Sequence, residues 1–533
     1  MATASATASA TLQGKLSRSP GKIGVVVFGI LLIAGFGYAG SHLLKDLSTM
    51  PRAASPLPYI LLVVALLVAL GFEFVNGFHD TANAVATVIY THSLEPHIAV
   101  AWSGFFNFLG VTIASGLVAY KIISLLPVEL ILQVGSSAGF AMVFALLVSA
   151  ILWNLGTWWF GLPASSSHTL IGSVIGVGIA NQLLHGRNGT SGVDWGQAKD
   201  IGESLLVSPL VGFGVAALLL LAGRALIKDE KLYRAPEGDQ PPPFYIRCLL
   251  VLTCTGVSFF HGSNDGQKGM GLIMLILIGT VPTAYALNHA VTFAQSQDFI
   301  AVSEQAADVL DHYVEPGAVI GDARDELTEF IRTKQFTANT MLAMRTLVND
   351  IGNETRIYKE LRNVPNDRVR NFRNDLYLVG EVLRITAKKG HPKFSEADAS
   401  ILANYQKHID RSTRFIPMWV KIAVAMALGL GTMVGWKRIV VTVGEKIGKQ
   451  HLTYAQGAAA EITAMATIGA ADGFGLPVST THVLSSGVAG TMAANRSGIQ
   501  LSTVRNLALA WVLTLPVAML LSGMLFWAFR KVF

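Results

Sequence analysis

Long apolar runs alternate with short polar connections over most of this chain. A bilayer core about 30 Å thick needs roughly 20 apolar residues in a helix, and eleven runs approach that length. The further apolar stretches 81–91 and 269–287 are either second halves of interrupted helices or separate passes, so the pattern predicts about eleven to thirteen spans. The main predicted spans are 22–43, 57–76, 97–120, 137–160, 167–185, 204–227, 246–262, 415–436, 455–472, 480–495 and 505–529.

One segment departs from this pattern because charged residues concentrate in it. Residues 290–413 contain 16 Lys and Arg and 18 Asp and Glu, so 34 of these 124 residues are charged, against 40 of the other 409. Apolar residues recur there at helical spacing, as in Leu342, Leu347 and Ile351. We therefore predict a water-soluble helical insert. A single membrane crossing before it places the insert outside, whereas two crossings place it in the cytoplasm.

Basic residues mark the connections that we expect in the cytoplasm. Lys15, Arg18 and Lys22 precede the first span, which favours an uncleaved anchor with a cytoplasmic N-terminus over a cleaved signal peptide. The Pro-rich linker 228–245 carries Lys228, Lys231 and Arg234, with Arg247 at its edge, and the connection 437–454 carries Lys437, Arg438, Lys446 and Lys449.

The composition excludes several function classes. Hydrophobic residues make up 52% of the chain and charged residues 14%, with a mean hydropathy of +0.49, whereas soluble domains carry about 25% charged residues. This excludes an ordinary soluble enzyme, a disordered chain and a usual nucleic-acid-binding protein. The net charge of +6 is what basic cytoplasmic loops produce.

Two motifs each occur twice, in the same order, once in each half. GFEFVNGFHD (71–80) shares four of ten positions with GVSFFHGSND (256–265). GLPASSSHTLIGSVIG (161–176) shares eight of sixteen positions with GLPVSTTHVLSSGVAG (475–490). Duplicated halves with interrupted hydrophobic segments indicate a secondary transporter. We predict an all-α polytopic membrane protein, an inverted-repeat transporter with broken helices and a soluble helical insert.

The spans, motifs and insert divide the chain into six parts, and the insert interrupts the second repeat between its two motifs. The parts are an N-terminal segment with an extra transmembrane helix (1–56), a first transporter repeat (57–227), a basic Pro-rich cytoplasmic linker (228–245), the first part of the second repeat (246–289), the soluble insert (290–413) and the remainder of the second repeat (414–533).

The first motif of each half ends in an aspartate within an apolar stretch. A charge at the bilayer centre costs about 2.5–3.5 kcal/mol on insertion scales, so Asp80 and Asp265 need a proton, a cation or N–H donors. Asn83 and Asn264 lie beside them, and Lys268 either neutralises Asp265 or holds an anionic substrate. We predict a substrate and coupling-ion site here, with a helix cap at the membrane interface as the alternative. The nearby glycines are expected to let the backbone unwind.

The second motif places three hydroxyls directly after a Gly-Leu-Pro turn. Because proline favours the first helical turn and Ser or Thr favours its cap, Pro163 and Pro477 predict helix starts. A helix N-terminus binds phosphate-like anions through free N–H groups and partial positive charge, whereas capping alone needs one hydroxyl. Two such starts predict a shared midplane oxyanion site. The hydroxyls are those of Ser165, Ser166, Ser167, Ser479, Thr480 and Thr481.

Four further polar side chains in apolar stretches have open roles. His168 and His482 follow the hydroxyls and either position them, relay protons or pack. Glu73 and Glu461, together with the two aspartates, are the candidates for binding the coupling ion.

These motifs resemble the inorganic phosphate transporter (Pit) family, specifically its bacterial low-affinity members, over nearly the whole chain. The resemblance implies a non-enzymatic symporter of inorganic phosphate without a resident cofactor, in bacterial members carrying a neutral metal–hydrogenphosphate complex with a proton. It also implies a homodimer in the cell inner (plasma) membrane. The most specific stretches are GFHDTANAVATVIYTHS (77–93), WNLGTWWFGLPASSSHTLIG (153–172), HGSNDGQKGMGL (261–272) and GLPVSTTHVLSSGVAGTM (475–492).

The chain departs from the family signature at a few positions. The signature Gly-Ala-Asn-Asp-Val-Ala-Asn-Ala falls on 77–84, where His79 replaces the first asparagine. In the second half, Asn-Asp matches at 264–265, but Gln267 and Lys268 replace the later Ala-Asn. These departures favour protons over sodium as the coupling ion.

Two other sequence positions bear on the ions. A family acidic residue ahead of Pro-Val-Ser-Thr-Thr-His matches Glu461, whereas its counterpart in the first half is Asn107. No third ligand at useful spacing accompanies His79 and Asp80, so the metal stays unassigned.

Other functions stay open beside phosphate import. The same helix starts would suit another oxyanion, such as sulfate. An intramembrane serine hydrolase would use Ser165, His168 and Asp80 as a triad, although the motif occurs twice and lacks the nucleophile-elbow glycines. A nutrient sensor would signal through the insert.

Overall fold

The computed structural model describes residues 16, 21–48, 55–80, 82–132, 135–185, 192–236 and 240–532, without the side chains of 82 and 83. In this part of the chain, all the regular secondary structure is helical and no strand is formed. Seven of the helices, or eight if one bent pair is counted as a single span, are long and apolar enough to span a bilayer. This confirms the prediction of an all-α polytopic membrane protein. The α-helices are α1 (Lys22–Leu47), α2 (Leu57–Asp80), α3 (Ala82–Tyr90), α4 (Pro96–Ile113), α5 (Leu117–Ile123), α6 (Val128–Leu132), α7 (Ser137–Trp159), α8 (Ser166–His185), α9 (Trp195–Leu226), α10 (Phe244–Thr280), α11 (Pro282–Tyr285), α12 (Phe293–Asp311), α13 (Ala323–Thr333), α14 (Thr340–Tyr358), α15 (Val369–Lys389), α16 (Glu396–Thr413), α17 (Met418–Thr432), α18 (Lys437–Val441), α19 (Tyr454–Gly473), α20 (Thr480–Ala494) and α21 (Leu501–Phe529).

The predicted number of spans is higher than the number of long apolar helices. The predicted spans 167–185, 455–472 and 480–495 fall on α8, α19 and α20, which do not meet the length and hydropathy criteria for spanning. These helices are rich in Gly, Ala, Ser and Thr, and most of their residues are buried. A run of small and apolar residues therefore marks buried helices here as well as lipid-facing ones.

Helix α10 corrects the prediction of separate segments at 246–262 and 269–287. It runs without a break through Asp265, and its 37 residues extend about 55 Å. The backbone does not unwind at the glycines around Asp265, contrary to expectation. Because α10 crosses once, the insert begins on the side opposite to the linker 228–245, which is outside when the basic linker is cytoplasmic.

The helices of the two halves pack in matching pairs. Helix α2 packs against α7 and α17, while α10 packs against α19 and α4. Helix α8 packs on α21, and α20 packs on α9. Arg247 at the start of α10 donates to the carbonyl of Ser93, just past α3 (2.8 Å), so α10 runs back along α2 and α3. The inverted repeat stays a prediction, and this reciprocal packing favours it.

Equivalent glycines allow the closest of these helix contacts. A Cβ atom added at Gly77 would clash with the backbone carbonyl of Leu428 on α17, and one at Gly262 would clash with that of Asn107 on α4. Small residues let helix backbones approach within a membrane. Glycines that the sequence suggested for unwinding are therefore packing positions.

Helices α12–α16 share a hydrophobic core of their own, which includes Phe299, Leu327 and Val379. At its edge, the guanidinium of Arg324 donates two hydrogen bonds to Asp375 (2.6 and 2.8 Å). Burial raises the pKa of Asp375, although the neighbouring Arg324 opposes the shift. The insert thus forms a helical bundle beside the membrane helices.

Candidate functional site

The two hydroxyl motifs form two helix starts. Helix α8 begins at Ser166 and α20 at Thr480. Ser479 caps α20 by accepting from the backbone N–H of His482 (3.1 Å), and Ser165 makes the equivalent bond in α8 (3.2 Å). The proline of each motif lies three residues before its helix, in the preceding turn, and not in the first helical turn as expected.

The two helix starts lie against each other. Ser167 of the first motif donates to the backbone carbonyl of Val478 in the second (2.7 Å). The rings of His168 and His482 are 4.6 Å apart between centroids, and His482 also stacks on Trp511 at 4.1 Å. Segments from opposite halves of the chain thus form one local structure, in which these two histidines pack.

Ser166 joins the two aspartates at this point. Its hydroxyl oxygen lies 2.6 Å from Asp80 Oδ2 and 3.3 Å from Asp265 Oδ2. The Lys268 ammonium lies 2.7 Å from Asp265 Oδ2 and 3.1 Å from the Ser166 hydroxyl. Thr481 of the second motif donates to Asp80 Oδ1 (3.1 Å). All four motif copies therefore contribute to one cluster, which we call the aspartate cluster.

The aspartate cluster is closed off from water. Asp80 is 3% exposed, and the other members are 0–1% exposed. Lys268 compensates the charge of Asp265, as buried ion pairs require. Asp265 Oδ1 has no hydrogen-bond partner within the described part of the chain. One carboxylate oxygen therefore stays available for a cation or a proton.

A histidine lies beside each aspartate. His79 Nδ1 is 2.8 Å from Asp80 Oδ1. His261, one helical turn before Asp265, places Nε2 3.5 Å from Asp265 Oδ2 and Nδ1 2.7 Å from Asn107 Oδ1. Asn107 thus orients the second histidine, although it takes the position of a family acid.

Three of these groups offer ligands for a metal ion. Atoms of Asp80, His261 and Asp265 lie within 4.8 Å of one another. Carboxylates suit hard cations such as Mg²⁺, and imidazole adds suitability for transition metals. Sequence reasoning missed His261 because this residue lies in the second half of the chain, far in sequence from His79 and Asp80 in the first half. The available signal was its spacing of four residues from Asp265, which places both on one helix face.

The other predicted anion ligands surround the aspartate cluster. Asn264 donates to the backbone carbonyl of Leu476 in the second motif (3.1 Å), and its Oδ1 has no partner among the described residues. The buried hydroxyl of Thr480 also has no partner in the described chain. The side chain of Asn83 lies outside the described residues.

The two predicted glutamates are buried outside the aspartate cluster. Glu73 on α2 accepts from Asn76 (3.4 Å), and its side chain lies against Gly269, next to Lys268 in sequence. Glu461 on α19 accepts a hydrogen bond from Thr253. Each glutamate is therefore a separate buried acid near the helices that carry the cluster.

Asp472 is a polar site residue that sequence reasoning did not identify. It lies near the end of α19, three residues before the second hydroxyl motif, and accepts from Ser263 (2.5 Å) and Gln267 (2.6 Å) on α10. The repeat comparison gave no signal, because Asp472 lies outside both matched motifs. Its hydrogen bonds connect the segment before the second hydroxyl motif to α10, the helix that carries Asp265.

Known proteins match the chain over most of its length. A model described as the phosphate transporter family matches residues 76–522. The low-affinity inorganic phosphate transporter PitB of Escherichia coli (strain K12) is 41% identical over 489 residues, covering 88% of this chain and 96% of PitB. PitA of the same strain is 41% identical over 485 residues, again covering 88% of this chain and 96% of the relative.

More distant matches have the same extent. A probable low-affinity inorganic phosphate transporter of Bacillus subtilis (strain 168) is 27% identical over 475 residues, covering 89% of this chain and 98% of the relative. A solved structure titled "The sodium-dependent phosphate transporter" is 17% identical, with a TM-score of 0.49, covering 89% of this chain and all of that one.

The family match extends from the first aspartate motif through both hydroxyl motifs. Members of this family are integral membrane transporters and not enzymes, which agrees with the apolar spanning helices. The chain belongs to the phosphate transporter family.

Proposed function

We propose that this chain imports inorganic phosphate across the cell inner membrane by alternating access, as a metal–hydrogenphosphate complex in symport with a proton. The observation that carries the proposal is the aspartate cluster, where Ser166 bridges Asp80 and Asp265 beside two helix starts. The printed names of the relatives, low-affinity inorganic phosphate transporters, support phosphate as the cargo.

The two helix starts supply the anion-binding part of the site. The N-termini of α8 and α20 present N–H groups and partial positive charge. The hydroxyl of Thr480 and the ammonium of Lys268 add donors that suit a tetrahedral oxyanion. Since Ser165 and Ser479 serve as helix caps, Ser166, Thr480 and Thr481 are the better candidates for direct phosphate contacts.

Asp80, Asp265 and His261 supply the metal-binding part of the site. Their ligand atoms lie close enough to bind one cation together. A divalent cation bound to hydrogenphosphate gives a neutral cargo, which lowers the free energy cost of taking the anion out of water. The metal is thus part of the substrate, and no resident cofactor is required.

Lys268 favours protons over sodium as the coupling ion. Its ammonium already lies 2.7 Å from Asp265, where a bound sodium ion would otherwise neutralise the carboxylate. The buried acids Glu73 and Glu461 can each accept a proton away from the cargo. A proton on either one removes a buried charge during transit.

Access to this site requires a rearrangement. Ser166, Thr481 and Asp265 are fully buried, so phosphate reaches them only when the packed helices open. Movement between the two repeats would open the site to one side at a time, as in alternating access.

Phosphate uptake into proteoliposomes tests the proposal. We expect an imposed pH gradient to drive uptake, a sodium gradient to leave it unchanged, and removal of divalent metal by EDTA to abolish it. Arsenate should compete and sulfate should not. Strong sulfate competition would indicate a general oxyanion carrier, and metal-independent, sodium-driven uptake would contradict the proposed cargo and coupling.

A further inference from the structure

A large cavity lies between the insert and the membrane helices. Its volume is about 680 Å³. The membrane side is formed by α5 and by the start of α9, and the insert side by α15 and the end of α13. This is the end of α9 opposite to the linker 228–245, so the cavity lies on the insert's side of the membrane.

Cationic side chains dominate this cavity. Seven lysine and arginine residues line it, against the two carboxylates of Asp194 and Glu381. The insert as a whole has more acidic than basic residues, 18 against 16. Five of the seven lining cations and one of the two carboxylates belong to the insert, so the wall that it presents to the transport helices is positively charged although the insert as a whole is not.

Two of the cations have no carboxylate partner among the described residues. Lys121 donates to the backbone carbonyl of Phe474 (3.2 Å), and Lys389 donates to that of Lys334 (2.9 Å). The other cations pair with acids of the lining or its edge. These pairs include Lys334 with Asp194 (3.4 Å), Lys388 with Asp200 (2.6 Å), and Arg384 and Arg414 with Asp410 (2.9 and 3.2 Å).

The cavity adjoins the second hydroxyl motif. Phe474, which accepts from Lys121, directly precedes the Gly-Leu-Pro turn of that motif. Ser204 on α9 donates to the carbonyl of Pro477 within the same turn (3.2 Å). An anion in the cavity therefore lies next to the segment that leads to Thr480 and Thr481.

We propose that this cavity is a second oxyanion site, which captures hydrated, metal-free hydrogenphosphate on the insert's side and raises its concentration beside the second motif, before the anion joins its metal ion at the aspartate cluster. The two cations without carboxylate partners match the charge of hydrogenphosphate. A water molecule takes about 30 Å³, so the cavity holds the anion with its hydration shell, as a capture site requires. A charged, low-dielectric cleft raises the local concentration of its counter-ion and its rate of association. This inference rests on the proposed function and adds a role for the insert.

The test measures phosphate uptake by membrane vesicles of each orientation containing the wild type, Lys121→Gln, Lys389→Gln or the double variant. We expect KM for phosphate presented on the insert's side to rise about three- to tenfold in the double variant at low ionic strength. The maximal rate should not change, and high salt should remove the difference. Phosphate presented on the opposite side should show the wild-type KM.

Two control variants keep the test decisive. Lys407→Gln removes an exposed cation of the insert that does not line this cavity, and it should keep the wild-type KM. The variant Lys121→Arg with Lys389→Arg keeps both charges and should restore KM. An unchanged KM in the double Gln variant, an equal rise from both sides, or no rescue by arginine would overturn the inference. Wild-type vesicles without phosphate uptake would instead overturn the proposed function itself.

Discussion

Asp80 and Asp265 occupy matching positions of the two repeats, yet their surroundings differ. Asp265 has a lysine ion pair, with Lys268 at 2.7 Å. Asp80 has hydroxyl donors from Ser166 and Thr481 and a neighbouring histidine. The two repeats therefore place an aspartate at the same position but surround it with different side chains.

This difference assigns separate roles to the two halves. The second half carries its own cation beside Asp265. In the first half, hydroxyl and imidazole groups surround Asp80, and we propose that a proton or the metal ion of the cargo binds there. A site with one fixed and one replaceable positive charge suits a cargo that brings its own metal ion.

The largest expected effect is on folding stability. Asp265→Asn leaves Lys268 buried without a carboxylate, which costs about 3–5 kcal/mol. Asp80→Asn keeps an oxygen that accepts from Ser166, so its cost is about 1–2 kcal/mol. Unfolding of the purified variants in detergent measures both, with Asp298→Asn on the exposed insert surface as the control. Equal losses for both aspartates would contradict the asymmetry.

Replacing the fixed cation should alter ion selectivity. Lys268→Gln leaves two neighbouring carboxylates without the ammonium, so a second cation must take its place. We expect proton-driven uptake to fall about tenfold or more and added sodium to restore part of it. Lys407→Gln should show neither change. Uptake by the Lys268→Gln variant that is unaffected by sodium would refute the role of the lysine as a fixed counter-ion.

The glycine contacts should behave alike in both halves. Gly77→Ala and Gly262→Ala force Cβ atoms against backbone carbonyls and should each destabilise the protein by about 1–3 kcal/mol. Gly71→Ala is the matched control on α2, since its Cβ meets no atom within 4 Å. It should be neutral or stabilise by up to about 1 kcal/mol through helix propensity. A loss confined to one repeat would show that the packing is not reciprocal.

The smallest effect separates two adjacent hydroxyls. Ser166→Ala removes the bridge between the aspartates and should raise KM for phosphate severalfold. Ser167→Ala removes only a hydrogen bond to a backbone carbonyl and should cost about 1 kcal/mol of stability, with KM unchanged. Uptake kinetics and thermal unfolding of the same samples distinguish the two. Equal KM values would remove Ser166 from the binding site.

Much of the aspartate cluster was predictable from the sequence, because its residues lie in motifs that occur in both repeats. Asp80, Asp265 and the hydroxyls recur at matching positions, and acids in apolar stretches need partners. Lys268 was also identified, and its distance to Asp265 shows an ion pair, while its contact with the anion stays a proposal. The fold class followed from the apolar runs.

Other features depend on tertiary distances that the sequence does not contain. The spacing places His261 beside Asp265 when the helix is continuous between them, but its proximity to Asp80 is a tertiary distance, and Asp472 joins only because α19 ends beside α10. The glycines near Asp265 are compatible with unwinding or with close packing, and only their neighbours decide between the two. The cavity beside Lys121 is likewise formed by segments far apart in the chain.

Counterflow of labelled phosphate into proteoliposomes tests most directly whether the aspartate cluster carries the phosphate, because it requires only binding and passage, without a driving gradient. The comparison uses the wild type, Asp80→Asn, Asp265→Asn and the control Asp298→Asn at equal amounts of folded protein. We expect rapid exchange for the wild type and the control, and none for either cluster variant. Exchange at the wild-type rate in either cluster variant would contradict this expectation.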